Sequence, residues 1–297
     1  MKVFYLVALV FCFTTLSSHA ISAEDSVHSA ETVLLNSFVA NNETKSDYPV
    51  EKGIAGAMMY FFEAGEGFSP GFLGGQAGWL VLSGSTAQPI IDNSDPANGT
   101  QHMQLGQDSS LPAGTNIGGL SPDLGPQPAG NESRVFIDVK ITAISGSSYT
   151  VFAQAPSTAQ GTWNVSFDST GNILVADNIG GGYVYIDSGM DWPVNTYFRL
   201  EVITNPGGLP GIDYYLNGNL FYSQVTMLFS DKVEQIAIYS DNNNSGEVAN
   251  FDNLVIDNNY GSGGPTGPAT PVPSLSVFGL ILLSLALLLT VRRKFVH

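Results

Sequence analysis

The sequence predicts an all-β fold, a two-sheet antiparallel jelly-roll sandwich, and three observations predict it. Apolar and polar residues alternate with period two through the middle of the chain. Asn-Gly and Gly-rich turn signals separate these runs. No stretch between the two ends carries the 3.6-residue apolar stripe of an amphipathic helix. Composition agrees, because 33 Gly, 16 Pro and 32 aromatic residues (3 Trp, 12 Tyr, 17 Phe) with only 12% charged residues describe strands joined by turns. Such low charge also sets the chain apart from disordered sequences, which combine high charge with little apolar surface.

Residues 1–23 read as a secretory signal peptide: Lys2, the apolar run Val3 to Phe13, and a small-residue tail ending at Ala20 or Ala23. Cys12 leaves with it, so the mature chain has no thiol for a disulfide, a nucleophile or a metal. Residues 24–52 form a polar leader with one apolar patch, Val33 to Val39. The sandwich domain is assigned to residues 53–259. Its clearest strand is Arg134–Thr142, where Val135, Ile137, Val139 and Ile141 alternate with Phe136, Asp138 and Lys140. Similar runs predict strands at Tyr149–Gln154, Thr162–Phe167, Asn172–Val175, Gly182–Asp187, Tyr197–Thr204, Gly211–Leu216, Leu220–Gln224, Val233–Ser240 and Phe251–Asp257. Ser169 to Asn172 closes one hairpin and Asn217-Gly218 another, since Asn-Gly supplies the positive φ values of a tight turn. Residues 84–131 read as long loops around one short strand, Gln101–Leu105. A Gly/Pro/Thr linker occupies 260–273, where no core can form. Residues 274–297 hold the uncharged run Leu275 to Val291, at 17 residues the short limit of a membrane-spanning helix. Arg292, Arg293 and Lys294 follow as a membrane stop that keeps the C-terminus in the cytoplasm.

Charge narrows the function classes. Between Glu24 and Tyr260 stand 26 acidic residues against six basic ones, a net −20, which excludes a nucleic-acid binder because phosphate recognition needs clustered positive charge. Histidine catalysis would have to run through His102, in a loop-rich region. A two-carboxylate glycosidase needs its acids on one strand face. Around Asp138 that face holds Phe136 and Lys140, so no carboxylate pair is expected there. The chain is therefore expected not to be an enzyme. Sugar binding uses aromatic rings that stack on pyranose faces. Trp163 alternates in step with Val165 and Phe167 and Trp192 precedes Pro193, so both read as core. Trp79, Tyr214 and Tyr222 are further aromatic candidates. Tyr183 and Tyr185 share one strand face after Gly180-Gly181-Gly182 and are the best platform. Asp241 to Asn244 lacks the pattern of a calcium-binding loop and reads as a surface turn.

Two segments resemble known families. Val272-Pro273-Ser274-Leu275-Ser276, then Phe278-Gly279, a Leu-rich stretch and a basic end resemble the IPTL-CTERM tails, relatives of the PEP-CTERM sorting signals of Gram-negative bacteria. Such a tail implies processing by an exosortase-type membrane enzyme, with a plain anchor as the alternative. It departs from the usual motif at Val272, Ser274, Val277 and Phe278. Gly263-Gly264 is similar to the GlyGly-CTERM tails. Phe61-Phe62-Glu63 with Gly74-Gly75-Gln76 and Trp79, the run Trp192-Pro193 to Val202, Asp213 to Gly218, and the closing Ala249 to Ile256 together resemble concanavalin A-like lectin, glucanase and laminin-G domains over roughly residues 58 to 258. That resemblance implies a carbohydrate-associated jelly roll, and a structural Ca²⁺ held by Glu63 and Asp252 from neighbouring first and last strands. The combined expectation is an exported protein held at the inner membrane, then sorted to the cell surface or matrix, with extracellular polysaccharide as partner. A structural or adhesive surface protein and a glycoside hydrolase stand as alternatives.

Overall fold

The computed structural model describes residues 57–179, 182–225, 228–243 and 246–261. The signal peptide, the leader, the sorting motif (Val272, Pro273, Ser274, Leu275, Ser276, Gly279) and the stop (Arg292, Arg293, Lys294) lie outside them. Among the described residues no helix is long and apolar enough to cross a membrane.

Sixteen strands run in chain order as β1 (Met58–Tyr60), β2 (Gly71–Phe72), β3 (Leu80–Val81), β4 (Ile90–Asp92), β5 (His102–Leu105), β6 (Ile117–Leu120), β7 (Ser133–Ile141), β8 (Tyr149–Ala155), β9 (Gln160–Phe167), β10 (Asn172–Ile179), β11 (Gly182–Asp191), β12 (Phe198–Thr204), β13 (Ile212–Leu216), β14 (Asn219–Gln224), β15 (Gln235–Ser240) and β16 (Ala249–Asp257). They form two antiparallel sheets. The nine-stranded sheet has the order β14-β13-β12-β7-β16-β5-β4-β2, with β1 also paired to β16. The seven-stranded sheet has the order β11-β10-β9-β8-β15-β6-β3. Four short 3₁₀ turns are the helical content described.

The alternation sorts as period two requires. Val135, Ile137, Val139 and Ile141 of β7 face Val151 and Ala153 of β8, Trp163, Val165 and Phe167 of β9, and Ile236 and Ile238 of β15 in one core. Trp79, Trp163 and Trp192 are all buried in it, as is Tyr214. Trp79 meets the edges of Tyr60 and Phe62 at 5.4 and 5.5 Å between ring centroids. The β13–β14 hairpin turns at Asn217 (φ 51°) and Gly218 (φ 78°), the two positive φ values that Asn-Gly predicts.

Three expectations need correction. Residues 84–131 hold β4 and β6 besides β5. β6 reads Ile117-Gly118-Gly119-Leu120, and its glycines hid it. A Cβ on Gly118 would meet the Ile238 carbonyl, so glycine lets β6 lie against β15. Phe61-Phe62-Glu63 is not the first strand. That strand ends at Tyr60, and Phe62 turns the chain with φ 57° before Glu63 opens a 3₁₀ turn. Of the Asp241 to Asn244 turn, Asn244 lies outside the described residues, and the rest is more than a surface turn, because Asn242 is fully buried. Its amide donates to the carbonyls of Asp108, Leu111 and Pro112 and its oxygen accepts from the Asp108 N–H, fastening the loop after β5.

Candidate functional site

The register of the ladders decides which side chains share the outward face of each sheet, and the two outward faces differ in chemistry. On the nine-stranded sheet, Arg199 of β12 stands opposite Asp138 of β7, which stands opposite Asp252 of β16. Glu201 lies opposite Phe136, and Arg134 opposite Asp257. The guanidinium of Arg199 donates to both Asp138 oxygens at 2.7 and 2.8 Å and lies 4.5 Å from the Phe136 ring centre. Arg134 donates to Glu201 at 2.6 Å and lies 5.0 Å from the same ring. Lys140 pairs with Asp95. The Asp138 hydrogen bond raises the Arg199 pKa further.

Asp138 and Asp252 form the carboxylate pair that inspection of a single strand ruled out. It forms across strands, which same-strand spacing does not show. Burial raises Asp252 to about 6, although the N–H groups of Ala97, Asn98 and Asn253 pull it down, and Asp138 adds to the rise. One acid is thus half protonated near pH 6 beside a second that is tied to Arg199. A bulge after Asp252, with Asn253 at φ 52°, lets the Asn253 amide donate to Asp138 at 2.7 Å.

Glu63 and Asp252, the expected calcium ligands, grip one loop. Glu63 accepts from Thr100 N–H (2.5 Å), Thr100 Oγ1 (2.6 Å) and Gln101 N–H (3.1 Å). Asp252 accepts from Ala97 N–H (3.0 Å) and Asn98 N–H (3.1 Å). The strands β1 and β16 do pair, but Glu63 lies past the end of β1. Both carboxylates accept from donors of this loop. Among the described residues no group of three or more His, Cys, Asp or Glu could hold a metal ion. His102 sits on β5, fully buried, with its ring 3.7 Å from Asp92. Burial lowers its pKa, and Asp92 offsets part of that fall.

The outward face of the seven-stranded sheet has another character. Running along the register, one row reads Gly118, Tyr239, Thr150, Ser166, Leu174 and Asp187. The next begins Leu120, Ala237, Phe152 and Asn164, and continues through Ala176 and Tyr185, which are paired to each other. Gln235 and Gln154 start a third row, which Asn178 and Tyr183 finish at the edge. Asp187, at the rim, is the one charged residue of these rows. Toward the middle this face is closed: Leu82, Leu120, Phe152, Ala237 and Tyr239 form a second, smaller buried cluster. Toward β10 and β11 it opens, and Leu174, Asn178, Tyr183 and Tyr185 are half-buried.

Tyr183 and Tyr185 therefore lie side by side on the outward face of β11, with ring centroids 6.4 Å apart and edge to face. Phe229, 48% exposed, extends them at 6.3 Å from Tyr183. The Asn178 amide, beside Tyr183, donates to the Leu228 carbonyl at 3.0 Å and fixes the segment that carries Phe229. Sequence reasoning found the two tyrosines but missed Asn164, Asn178, Phe229 and Tyr239. The available signal was the absence of charge at the alternate positions of β8, β9 and β15, where a solvated face would carry Lys or Glu. Tyr222 packs toward the interior instead, its hydroxyl donating to Asp177 at 2.9 Å. Burial and that carboxylate push its pKa up to about 12.

No family model and no curated protein matches the chain. Solved structures are similar to it. A sialidase aligns at 9% identity and TM-score 0.44, covering 61% of this chain and 17% of its own. An endo-β-1,4-glucuronan lyase from Trichoderma reesei aligns at 11% identity and TM-score 0.43, covering 63% of this chain and 93% of its own. A carbohydrate esterase of a Shiga toxin-encoding bacteriophage aligns at 9% identity and TM-score 0.43, covering 62% and 91%. The likeness is one of fold and assigns no site. It does correct one expectation. These proteins are titled as enzymes, against the expectation that the chain is not one, and the premise of that expectation fails where Asp138 stands opposite Asp252, so it is withdrawn.

Proposed function

We propose that this chain is an exported, tail-sorted protein whose concanavalin A-like jelly roll binds carbohydrate at the Tyr183–Tyr185 face. The observation that carries the reading is the placing of two half-buried tyrosines and Phe229 together at the open end of an outward face, beside the half-buried Asn178 and Leu174. Ring faces stack on sugars and the amides orient their hydroxyls, the division of labour found in small-ligand sites. A glycan array and a pull-down on insoluble polysaccharide, with and without Ca²⁺, test it. Retention that Tyr183→Ala/Tyr185→Ala removes supports binding at this face. A folded protein that binds nothing turns the reading to a structural or adhesive surface protein.

A second reading, cleavage of a glycosidic bond, is favoured by the Asp138–Asp252 pair, one acid titrating at about 6 opposite the other. Release of reducing ends that Asp252→Asn abolishes supports it, and no release at any pH removes it. Sorting is tested separately. The double change Pro273→Ala/Ser274→Ala alters the mature mass if the tail is processed and leaves it unchanged if Leu275 to Val291 is a plain anchor.

A further inference from the structure

The placement of charge around the Tyr183–Tyr185 face separates the classes of polysaccharide it accepts. Four basic residues are described. Arg134, Lys140 and Arg199 all stand on the outward face of the opposite sheet, each committed to a carboxylate. The fourth, Lys232, follows Asp231 and lies two residues before the buried Glu234, beyond the Gly161 end of β9, where Gly161 accepts from the N–H groups of Phe229 and Ser230. The tyrosine face itself presents Asn178, Leu174 and Ala176 from β10 and, from β11, the carboxylate Asp187. A uronate or sulfate needs an opposing cation, most effectively an arginine fork. Here it meets a rim carboxylate and an exported part carrying 26 acids against six bases. Glycan hydroxyls need only uncharged donors and acceptors such as the Asn178 side chain and the Tyr183 hydroxyl, half-buried at this open end.

Resting on the carbohydrate-binding reading, we propose that the ligand of the Tyr183–Tyr185 face is a neutral polysaccharide and that polyuronates and sulfated glycans are excluded from it. The discrimination comes from absent countercharge together with long-range repulsion, so it is strongest at low ionic strength.

Affinity electrophoresis of the intact protein through gels containing a neutral β-glucan, a galactomannan, alginate or polygalacturonate tests this at low and at high salt. Two variants accompany it, Tyr185→Ala and Asn178→Lys, each checked for an unchanged far-UV circular dichroism spectrum and a cooperative thermal melt. The expected result is retardation by a neutral polymer that salt leaves unchanged and that Tyr185→Ala weakens about tenfold or more. Alginate and polygalacturonate give none with the native protein. Asn178→Lys, which adds one cation beside Tyr183, gains retardation by them that fades as salt rises. Retardation of the native protein by a polyuronate, reversed by salt and by Tyr185→Ala, overturns the neutral class while leaving carbohydrate binding in place. Indifference of the folded protein to every polymer overturns both.

Discussion

The two outward faces of this sandwich are made by strands of similar length, yet they solve the problem of an outer surface in opposite ways. The nine-stranded sheet keeps its charge on strands and neutralises it there: Arg199 with Asp138, Arg134 with Glu201, Lys140 with Asp95, with Phe136 between the two guanidinium groups. The seven-stranded sheet carries no basic residue on its strands and keeps its strand acids, Asp177, Asp187 and Asp191, on the edge strands β10 and β11. Its middle is closed by Phe152, Tyr239 and Leu120, and its edge opens at Tyr183 and Tyr185. Other acids on that side lie in the connections, where they bind backbone. Glu234 accepts from Gln127 N–H and from Ser157, and Asp108 holds Ser85 and Ser110. The difference teaches that the excess of acid is partly structural. Buried or half-buried carboxylates stand in for missing strand partners by collecting loop N–H groups, each such charge-assisted bond being stronger than a neutral one.

The sharpest way to break this comparison is to place the same charge on each face. Ala176→Lys, on the face without ion pairs at a fully buried position, is expected to cost about 3 kcal/mol or more, because burial strips the ammonium of water. Tyr215→Lys, opposite Glu201 on the other face, should change stability by about 1 kcal/mol or less. Urea unfolding of both variants reads the contrast, and equal losses would show that the faces do not differ. A smaller separation is expected from removing polar groups. Asp138→Ala strands Arg199 and the Asn253 amide and should cost about 2 kcal/mol, whereas Asn178→Ala, losing one amide bond at the open edge, should cost about 1 kcal/mol or less. Thermal melts of the pair give the ranking.

The smallest effect is in pH dependence, read as differences between variants so that other groups cancel. Asp252 titrates at about 6 when folded, above its unfolded value, so the folded state takes up a proton first and gains stability as pH falls through that region. The native protein should therefore gain on Asp252→Asn by roughly 1–2 kcal/mol between about pH 7 and about pH 5. The Glu63 pKa is lowered: partial burial raises it, but the bonds from Thr100 and Gln101 outweigh that. Its contribution is full at neutral pH and is lost as pH falls through its folded value. The advantage over Glu63→Gln should shrink only in acid, below the usual carboxylate range. A native protein that loses stability relative to Asp252→Asn between pH 7 and pH 5 would contradict the raised pKa.

Much of the architecture was legible because it rests on local rules. Period-two runs such as Arg134–Thr142 and the Asn217-Gly218 turn depend on neighbouring residues, and they stand where alternation and positive φ put them. Ile117-Gly118-Gly119-Leu120 was not legible as a strand, because its glycines are explained by the approach of β15, more than a hundred residues away. Glu63 and Asp252 were paired in the sequence as expected calcium ligands on neighbouring strands, whereas Glu63 lies past the end of β1. What they hold was not legible, since the loop from Ala97 to Gln101 that they grip carries no sequence mark of it.

By itself, then, the sequence determined the all-β class, most of the strands, the burial of Trp163 and Trp192 and the shared face of Tyr183 and Tyr185. All of these follow from alternation along one strand and from turn chemistry over a few residues. Only the tertiary structure decided that Trp79 is buried, that Asp138 meets Asp252 across a ladder, that Phe229 joins the tyrosines, and that one outward face carries no ion pair while the other is laced with them. Those relations depend on register between strands distant in the chain, and a one-residue slip in any ladder would turn each side chain to the opposite face.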